Sequence, residues 1–241
     1  MTPALIQVLT SMPVSGSIGA NPRAILLDAL GTLIGFEPPA PHLQAELRAR
    51  GHAVSAETAR AAIRAEITYY RAHLDEGRDA DSLHDLRVRC AGAMEPMLPG
   101  VPRAVILDAL LASLRFFAYP DSAPALLALR KAGIRLVVVS NWDFSLHVRL
   151  AETGLTPLLD GALASAEVGS AKPDPAIFTA ALQLAGTTAE HAWHVGDTPA
   201  ADVDGARAAG LEPVYIARDG GALAGVRTVR TLRELIPLAA L

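Results

Sequence analysis

The feature that most constrains this chain is an alternation of short apolar segments with segments of helical periodicity. The apolar segments predict strands in AILLD (24–28), IRLVVVSN (134–141), GALAS (161–165), HAWHVGD (191–197) and EPVYIAR (212–218), the last strand. Asp121 is predicted to cap one intervening helix, and another is predicted to begin near Asp174 with Pro175 in its first turn. Because strand–helix alternation with short links favours parallel pairing, we predict an α/β fold with a doubly wound parallel sheet.

One segment interrupts this alternation and is helical throughout, with no convincing strand. Between 38 and 118 the sequence predicts four helices, in HLQAELRARG, SAETARAAIRAEITYYRAHL, DSLHDLRVRCAGAMEPML and PRAVILDALLASLRFF. Because the segment follows the first strand, it would lie above the carboxyl end of the sheet as a helical cap. We therefore predict a Rossmann-like core formed by 1–37 and 119–241, with 1–21 as a loose extension, and an inserted all-helical cap domain at 38–118.

Composition limits the classes of protein that this chain can represent. Hydrophobic residues make up 51% of the 241 residues and charged residues 19%, which is enough apolar surface for a full core. The net charge of -4 provides no electrostatic footprint for nucleic acid. The single cysteine, Cys90, excludes an internal disulfide, and no apolar run approaches the roughly 20 residues of a membrane span. We expect a cytoplasmic protein. The sequence contains no pattern that indicates its oligomeric state.

Polar residues at the ends of the predicted strands indicate where chemistry would occur. Asp28, Ser140 with Asn141, and Asp197 each follow a strand, and ligands of open parallel sheets bind at the carboxyl ends of the strands. The basic residues are almost all arginine, with lysine only at 131 and 172. Lys172 is thus a candidate for a place that needs a compact ammonium, although chance explains the pattern equally well. His194, inside a strand, is predicted to be a satisfied core histidine.

Four motifs, in this order, resemble those of the haloacid dehalogenase-like hydrolase superfamily. They are DALGT (28–32), VVVSN (137–141), SAKPDPAIF (170–178) and HVGDTPAADVDGARAAG (194–210). The resemblance covers roughly 24 to 217 and points to the branch with a helical cap inserted after the first strand.

The resemblance implies a role for each motif residue. Asp28 would be the nucleophile that forms an aspartyl-phosphate, and Lys172 would screen the negative charge that it shares with the phosphate. Ser140, with backbone amides and the Asn141 amide, would bind the phosphoryl oxygens.

The resemblance also implies a magnesium cofactor and a small phosphorylated substrate. Asp28, the backbone carbonyl of Leu30 and Asp197 would hold Mg²⁺ through hard oxygen ligands. Asp202 would stand behind them as a partner of the metal-bound waters or of Lys172, or would simply favour the first turn of a helix.

Leu30 departs from the family pattern, which places a second acid at this position. That acid protonates the leaving group, and general acid–base help of this kind is worth about 10²–10⁴ in rate. Three hypotheses follow: a magnesium-dependent phosphatase with good leaving groups or a substitute acid, a dehalogenase-type hydrolase, or a non-catalytic metal-, phosphate- or protein-binding member. Arg48, Arg64 and Arg71 of the cap are candidates to meet an anionic substrate, or belong to an exposed helix face.

Overall fold

A computed structural model describes residues 21–239, so that the predicted extension 1–21 lies, except for Asn21, outside the described residues. The strands of this part are β1 (Ala24–Leu27), β2 (Ile34–Phe36), β3 (Phe116–Ala118), β4 (Arg135–Ser140), β5 (Gly161–Ala164), β6 (Ala192–Gly196), β7 (Glu212–Ile216) and β8 (Arg227–Val229). The helices are α1 (Pro39–Ala49), α2 (Ala56–His73), α3 (Ala80–Met94), α4 (Arg103–Ser113), α5 (Ser122–Lys131), α6 (Leu146–Glu152), α7 (Ser165–Val168), α8 (Pro175–Ala185), α9 (Gly205–Ala208) and α10 (Leu235–Ala239). None of these helices has both the length and the apolar character needed to cross a membrane.

Six strands form a parallel sheet in the order β5-β4-β1-β6-β7-β8, which confirms the predicted α/β doubly wound fold. Strand β1 lies at the centre, where Leu27 is in register with Val138 of β4 and Val195 of β6. Its side chains alternate between two apolar clusters, with Ile25 and Leu27 in one and Ala24 and Leu26 in the other. The strand is buried on both faces, as the continuous apolar run predicts.

The cap consists of α1 to α4 around an apolar core of its own, which includes Leu43, Leu47, Leu86 and Ile106. Strands β2 and β3 connect it to the large sheet and pair with each other in antiparallel fashion. The prediction that 38–118 contains no strand is wrong for β3. Because β3 has only three residues, it lacks a readable period, and pairing with β2 stabilises it. The division of the chain at 37/38 and 118/119 stays a prediction.

Three hydrogen bonds join the cap to the core through residues outside β2 and β3. The Tyr70 hydroxyl donates to Asp143 Oδ2 at 2.9 Å, and the Phe144 amide donates to the Gly77 carbonyl at 2.8 Å. The Ser165 hydroxyl donates to Asp75 Oδ1 at 2.8 Å. These bonds hold the cap over the carboxyl edge of the sheet in addition to its connection through β2 and β3.

Two sequence predictions about the carboxyl-terminal half are corrected. EPVYIAR is not the last strand, because β8 follows it at the edge of the sheet. Asp121 lies at the N-cap position of α5, but its side chain makes no cap hydrogen bond. It accepts instead from Arg218 Nη1 at 3.0 Å and from the Leu232 amide at 2.7 Å. A buried ion pair has thus replaced the expected cap.

Candidate active site

The carboxyl ends of β1, β4 and β6 bring the predicted strand-terminal residues together at one edge of the sheet. Asp28 follows β1, Ser140 ends β4, and Asp197 follows β6, while Lys172 arrives from the loop before α8. All four line a cavity of about 630 Å³ between the sheet and the cap. Another concavity, at the opposite edge around Arg23 and Gly186, includes none of these four residues.

Lys172 lies between two carboxylates. Its Nζ donates to Asp28 Oδ1 at 2.7 Å and to Asp202 Oδ1 at 2.6 Å. The Ser140 hydroxyl donates to the same Asp28 oxygen at 3.0 Å. All four residues are buried, with relative exposures of 7% or less. An ammonium with three donor directions can bridge two acids in this way, which a planar guanidinium fits less well.

Burial and charge act on these groups in different directions. Burial raises the pKa of Asp28 to about 6, against the opposing effect of the Lys172 ammonium. For Lys172, burial alone would lower the pKa, but Asp28 and Asp202 outweigh it and the pKa is raised. For Asp202, burial alone would raise the pKa, but Lys172 and His194 lower it. Lys172 is therefore a stable cation at neutral pH, held between the two carboxylates.

Both oxygens of Asp202 are occupied by donors from the protein. Oδ1 contacts Lys172 and also His194 Nε2 at 2.9 Å, and Oδ2 accepts the Thr198 amide at 2.9 Å. Gly196 allows this close packing, because a Cβ there would lie 2.1 Å from Asp202 Cγ. His194 is fully buried, as predicted, but only Nε2 is satisfied, because Nδ1 has no partner among the described residues.

Oxygen donors of the kind that magnesium prefers remain free beside this network. Carboxylate oxygens of Asp28, Asp197 and Asp202 lie within 4.8 Å of one another. The only hydrogen bond to the Asp197 carboxylate from residues 21–239 is a long one of 3.4 Å from the Thr198 hydroxyl. Within the same residues, Asp28 Oδ2 and the Leu30 carbonyl accept no hydrogen bond. The donor set therefore fits a hard divalent cation.

The Asn141 side chain makes two hydrogen bonds with the backbone of Lys172. Its Nδ2 donates to the Lys172 carbonyl at 2.8 Å, and its Oδ1 accepts the Lys172 amide at 2.7 Å. This pair of bonds fixes the start of the Lys172 side chain relative to β4. The prediction that the Asn141 amide binds a phosphoryl group stays a prediction.

Arg218 contacts the loop that follows β1 and was not predicted from the sequence. Its guanidinium donates to the carbonyls of Gly31 and Thr32 and pairs with Asp121 at 3.0 Å. It also stacks 3.7 Å from the centre of the Tyr119 ring. Its position at the carboxyl end of β7, the same edge as the other site residues, was a signal that could have identified it.

Leu30 projects an apolar side chain into the cavity at the position where the family pattern places an acid. It lines the cavity and is 42% exposed, which is unusual for a leucine in an otherwise buried loop. The leucine side chain has no proton to donate to a leaving group. It can make only apolar contacts with a ligand in the cavity.

The cap wall of the cavity is apolar with a few polar groups. Glu66 of α2 is one of them, and it is only 8% exposed. Burial raises the pKa of Glu66 to about 7, and a hydrogen bond with the Cys90 thiol opposes this only in part. The group is therefore partly protonated near neutral pH.

Replacing Glu66 with Gln is expected to flatten the dependence of stability on pH. Because the folded pKa of Glu66 is about 7 and the ordinary value is 4.5, the wild-type protein loses stability as pH rises between these values. The loss amounts to at most about 3 kcal/mol above pH 7, and Gln removes it. Urea unfolding at pH 4.5 and pH 8 measures this, with the exposed Glu57→Gln on the same helix as control. Equal pH profiles for wild type and Glu66→Gln would contradict the prediction.

The parallel sheet, the acidic cluster bridged by one lysine and the helical cap define a capped, Rossmann-like hydrolase. The sequence profile of the haloacid dehalogenase-like hydrolases matches residues 22–210. The chain belongs to this family.

Individual relatives and structures agree with this membership. A glyceraldehyde 3-phosphate phosphatase from Methanopyrus kandleri is 30% identical over 81% of this chain and 84% of its own length. A phosphoserine phosphatase from Thermus thermophilus is 38% identical over 43% of this chain and 42% of its own length. A solved dehalogenase with intermediate complex is 26% identical, with a TM-score of 0.65 over 92% of this chain and 99% of that one. Several other relatives are matched over only about a third to a half of their length.

Proposed function

We propose that this hydrolase is a cytoplasmic, magnesium-dependent phosphatase that acts on a small phosphorylated metabolite through an aspartyl-phosphate at Asp28. The observation that carries the proposal is the acidic cluster at the carboxyl edge, where oxygens of Asp28, Asp197 and Asp202 lie within 4.8 Å of one another beside Lys172, and where Asp28 Oδ2 and the Asp197 carboxylate remain available to a cation. A cation site of this kind has a use when an anionic group must be bound. The phosphatases from Methanopyrus kandleri and Thermus thermophilus support the same chemistry.

In the first step, a carboxylate oxygen of Asp28 attacks phosphorus. The new bond between this oxygen and phosphorus forms as the bond to the leaving oxygen breaks, and the leaving oxygen departs with the electron pair. In the second step, water attacks the aspartyl-phosphate, which releases phosphate and restores the Asp28 carboxylate. Lys172 neutralises the charge that Asp28 shares with the phosphoryl group, and the Ser140 hydroxyl, which donates to Asp28 Oδ1, fixes the orientation of the carboxylate.

Asp28, the Leu30 carbonyl and Asp197 would hold Mg²⁺. When bound, Mg²⁺ supplies positive charge to the phosphoryl oxygens and thereby lowers the repulsion between the two anions. Asp202 has no free oxygen and acts through Lys172 and the Thr198 amide, which supports its predicted place outside the direct ligands.

Leu30 restricts which leaving groups can depart. An alkoxide leaves slowly without a proton, whereas the carboxylate released from an acyl phosphate needs none. General acid help is worth about 10²–10⁴, so phosphate release from an acyl phosphate is expected to exceed that from alkyl phosphates by a similar factor. Release of inorganic phosphate from acetyl phosphate and from a panel of alkyl phosphates, with and without Mg²⁺, measures this.

The variant Asp197→Asn tests the magnesium site. It should weaken Mg²⁺ binding in calorimetry and remove the dependence of phosphate release on Mg²⁺. Equal rates on acyl and alkyl phosphates would indicate a substitute acid in the cavity. No release from any phosphate, or no effect of Mg²⁺, would overturn the proposal.

Dehalogenation is a second candidate function because one observation favours it. Halide leaves carbon without protonation, so that an apolar Leu30 suits attack by Asp28 on a haloacid, and a dehalogenase is among the similar structures. The free Asp197 carboxylate disfavours it, because that reaction has no use for a cation. A non-catalytic binding role remains the alternative if neither phosphate nor halide is released.

A further inference from the structure

Four cationic side chains from the described residues line the cavity, and they differ in their partners. Lys172 bridges Asp28 and Asp202, and Arg149 pairs with Glu152 at 2.7 Å. Arg71 is exposed to solvent. Arg87 of α3 is half-buried, and no carboxylate oxygen of residues 21–239 lies within 4.0 Å of its guanidinium. Arg87 is therefore a partly desolvated cation without a counter-ion in the described part of the chain.

The surroundings of Arg87 make this arrangement unfavourable in the absence of an anion. Burial lowers the pKa of Arg87, and the nearby Arg149 guanidinium lowers it further, while Asp143 opposes this effect. Asp143 is beyond ion-pair distance, and its two oxygens are occupied by the Tyr70 hydroxyl at 2.9 Å and the Ser145 amide at 2.7 Å. Partial burial of a charge without a partner is unfavourable, so this position suits an anionic group of a ligand.

The lining of the cavity that contains both Arg87 and the catalytic edge is largely apolar. It includes the side chains of Phe36, Ile67, Leu110, Leu111, Leu114 and Phe116. The cavity of about 630 Å³ lies within the roughly 300–1,000 Å³ that small-molecule sites occupy. A ligand that contacts both Arg87 and the catalytic edge would combine two anionic groups with an apolar segment.

We propose that Arg87 forms a subsite for a second anionic group of the substrate, a carboxylate or a second phosphate, joined by an apolar segment to the phosphoryl group at Asp28. This rests on the proposed function, since the reacting phosphoryl group defines the other end of the substrate. Arg87 is then a specificity-determining residue. A guanidinium suits the task because its planar fork binds a carboxylate or phosphate through two parallel hydrogen bonds.

The test compares ω-phosphooxy alkanoic acids of increasing chain length with alkyl phosphates of the same length. Wild type is expected to have a kcat/KM for the best carboxylate about 10- to 100-fold above that for its alkyl partner, as a charge-assisted hydrogen bond would give. Arg87→Gln should remove this preference, mainly through KM, and leave the alkyl series within about threefold. Alkane bisphosphates distinguish a second phosphate from a carboxylate.

Arg89→Gln is the matched control, because Arg89 lies on the same helix and pairs with Glu76 at 2.6 Å outside the cavity. It should retain the preference for the carboxylate, and thermal unfolding checks that both variants are folded. A preference absent in wild type for both the carboxylates and the bisphosphates, or unchanged in Arg87→Gln, overturns the subsite while the phosphatase proposal stands.

Absence of phosphate release from every compound overturns the phosphatase proposal instead. The subsite is then decided by calorimetry of the carboxylate series with Asp28→Asn and with Asp28→Asn/Arg87→Gln. Binding that is about 10- to 100-fold weaker in the double variant supports the subsite, and equal binding overturns it.

Discussion

Asp28→Asn is expected to abolish phosphate release, with a loss on the order of 10⁴- to 10⁶-fold in kcat, the range found when an enzyme loses its nucleophile. Asparagine retains the shape and the hydrogen bond from Ser140, but its amide is a poor nucleophile toward phosphorus. The protein should remain folded, because burial already raises the pKa of Asp28 and a neutral amide avoids that unfavourable charge. Phosphate release and thermal unfolding of the purified variant measure the two effects separately.

A suitable control for Asp28→Asn is Asp174→Asn. Asp174 is exposed and caps α8 through the Ala176 amide at 2.8 Å, a role that asparagine performs equally well. It should therefore retain wild-type activity and stability. Residual activity of Asp28→Asn that retained the substrate profile of wild type would show that another group attacks the substrate.

Lys172→Met is expected to lower both stability and activity. Removal of the ammonium leaves Asp28 and Asp202 buried beside each other without a cation, and breaking a buried ion pair in this way costs about 3–5 kcal/mol of unfolding free energy. Loss of a positive charge at the reacting group should lower kcat roughly 10²- to 10³-fold. Urea unfolding and phosphate release measure the two losses.

Lys131→Met is the matched control, because Lys131 is the other lysine of the chain and is exposed at the end of α5. It should change stability by less than about 0.5 kcal/mol and leave the rate unaltered. Adding Asp202→Asn to Lys172→Met removes one of the two facing charges and should recover part of the stability but not the activity. If Lys172→Met and Lys131→Met were equally stable, the bridging role of Lys172 would be wrong.

The parts of the fold and site that could be predicted from the sequence depend on local signals. Apolar segments predict β1, β4 and β6, and the rule that ligands bind at the carboxyl ends of parallel strands predicts that Asp28, Ser140 and Asp197 lie at one edge. The rarity of lysine pointed to Lys172, which the structure places between two acids.

The remaining features depend on contacts that leave no local pattern. Strands β3 and β8 have three residues each, too few for a period, and pairing with a neighbour strand stabilises them. Arg218 contacts Gly31 and Thr32 from a distance of 187 and 186 residues in the chain.

The arginines of the cap helices were also difficult to assign from the sequence. Of the three candidates named from the sequence, Arg71 lines the cavity, whereas Arg48 and Arg64 are exposed elsewhere. Arg87, which the sequence did not single out, faces inward, because the packing of α3 and not its composition decides which arginine meets the cavity.

The central position of β1 has a consequence for the synthesis of this protein. Asp28 leaves the ribosome before Ser140 and Lys172, which it contacts and which follow 112 and 144 residues later. The two strands that flank β1 in the sheet, β4 and β6, are both translated after it. Asp28 is therefore made before the residues that it contacts and is assembled with them only later, and until then the apolar β1 requires protection from aggregation.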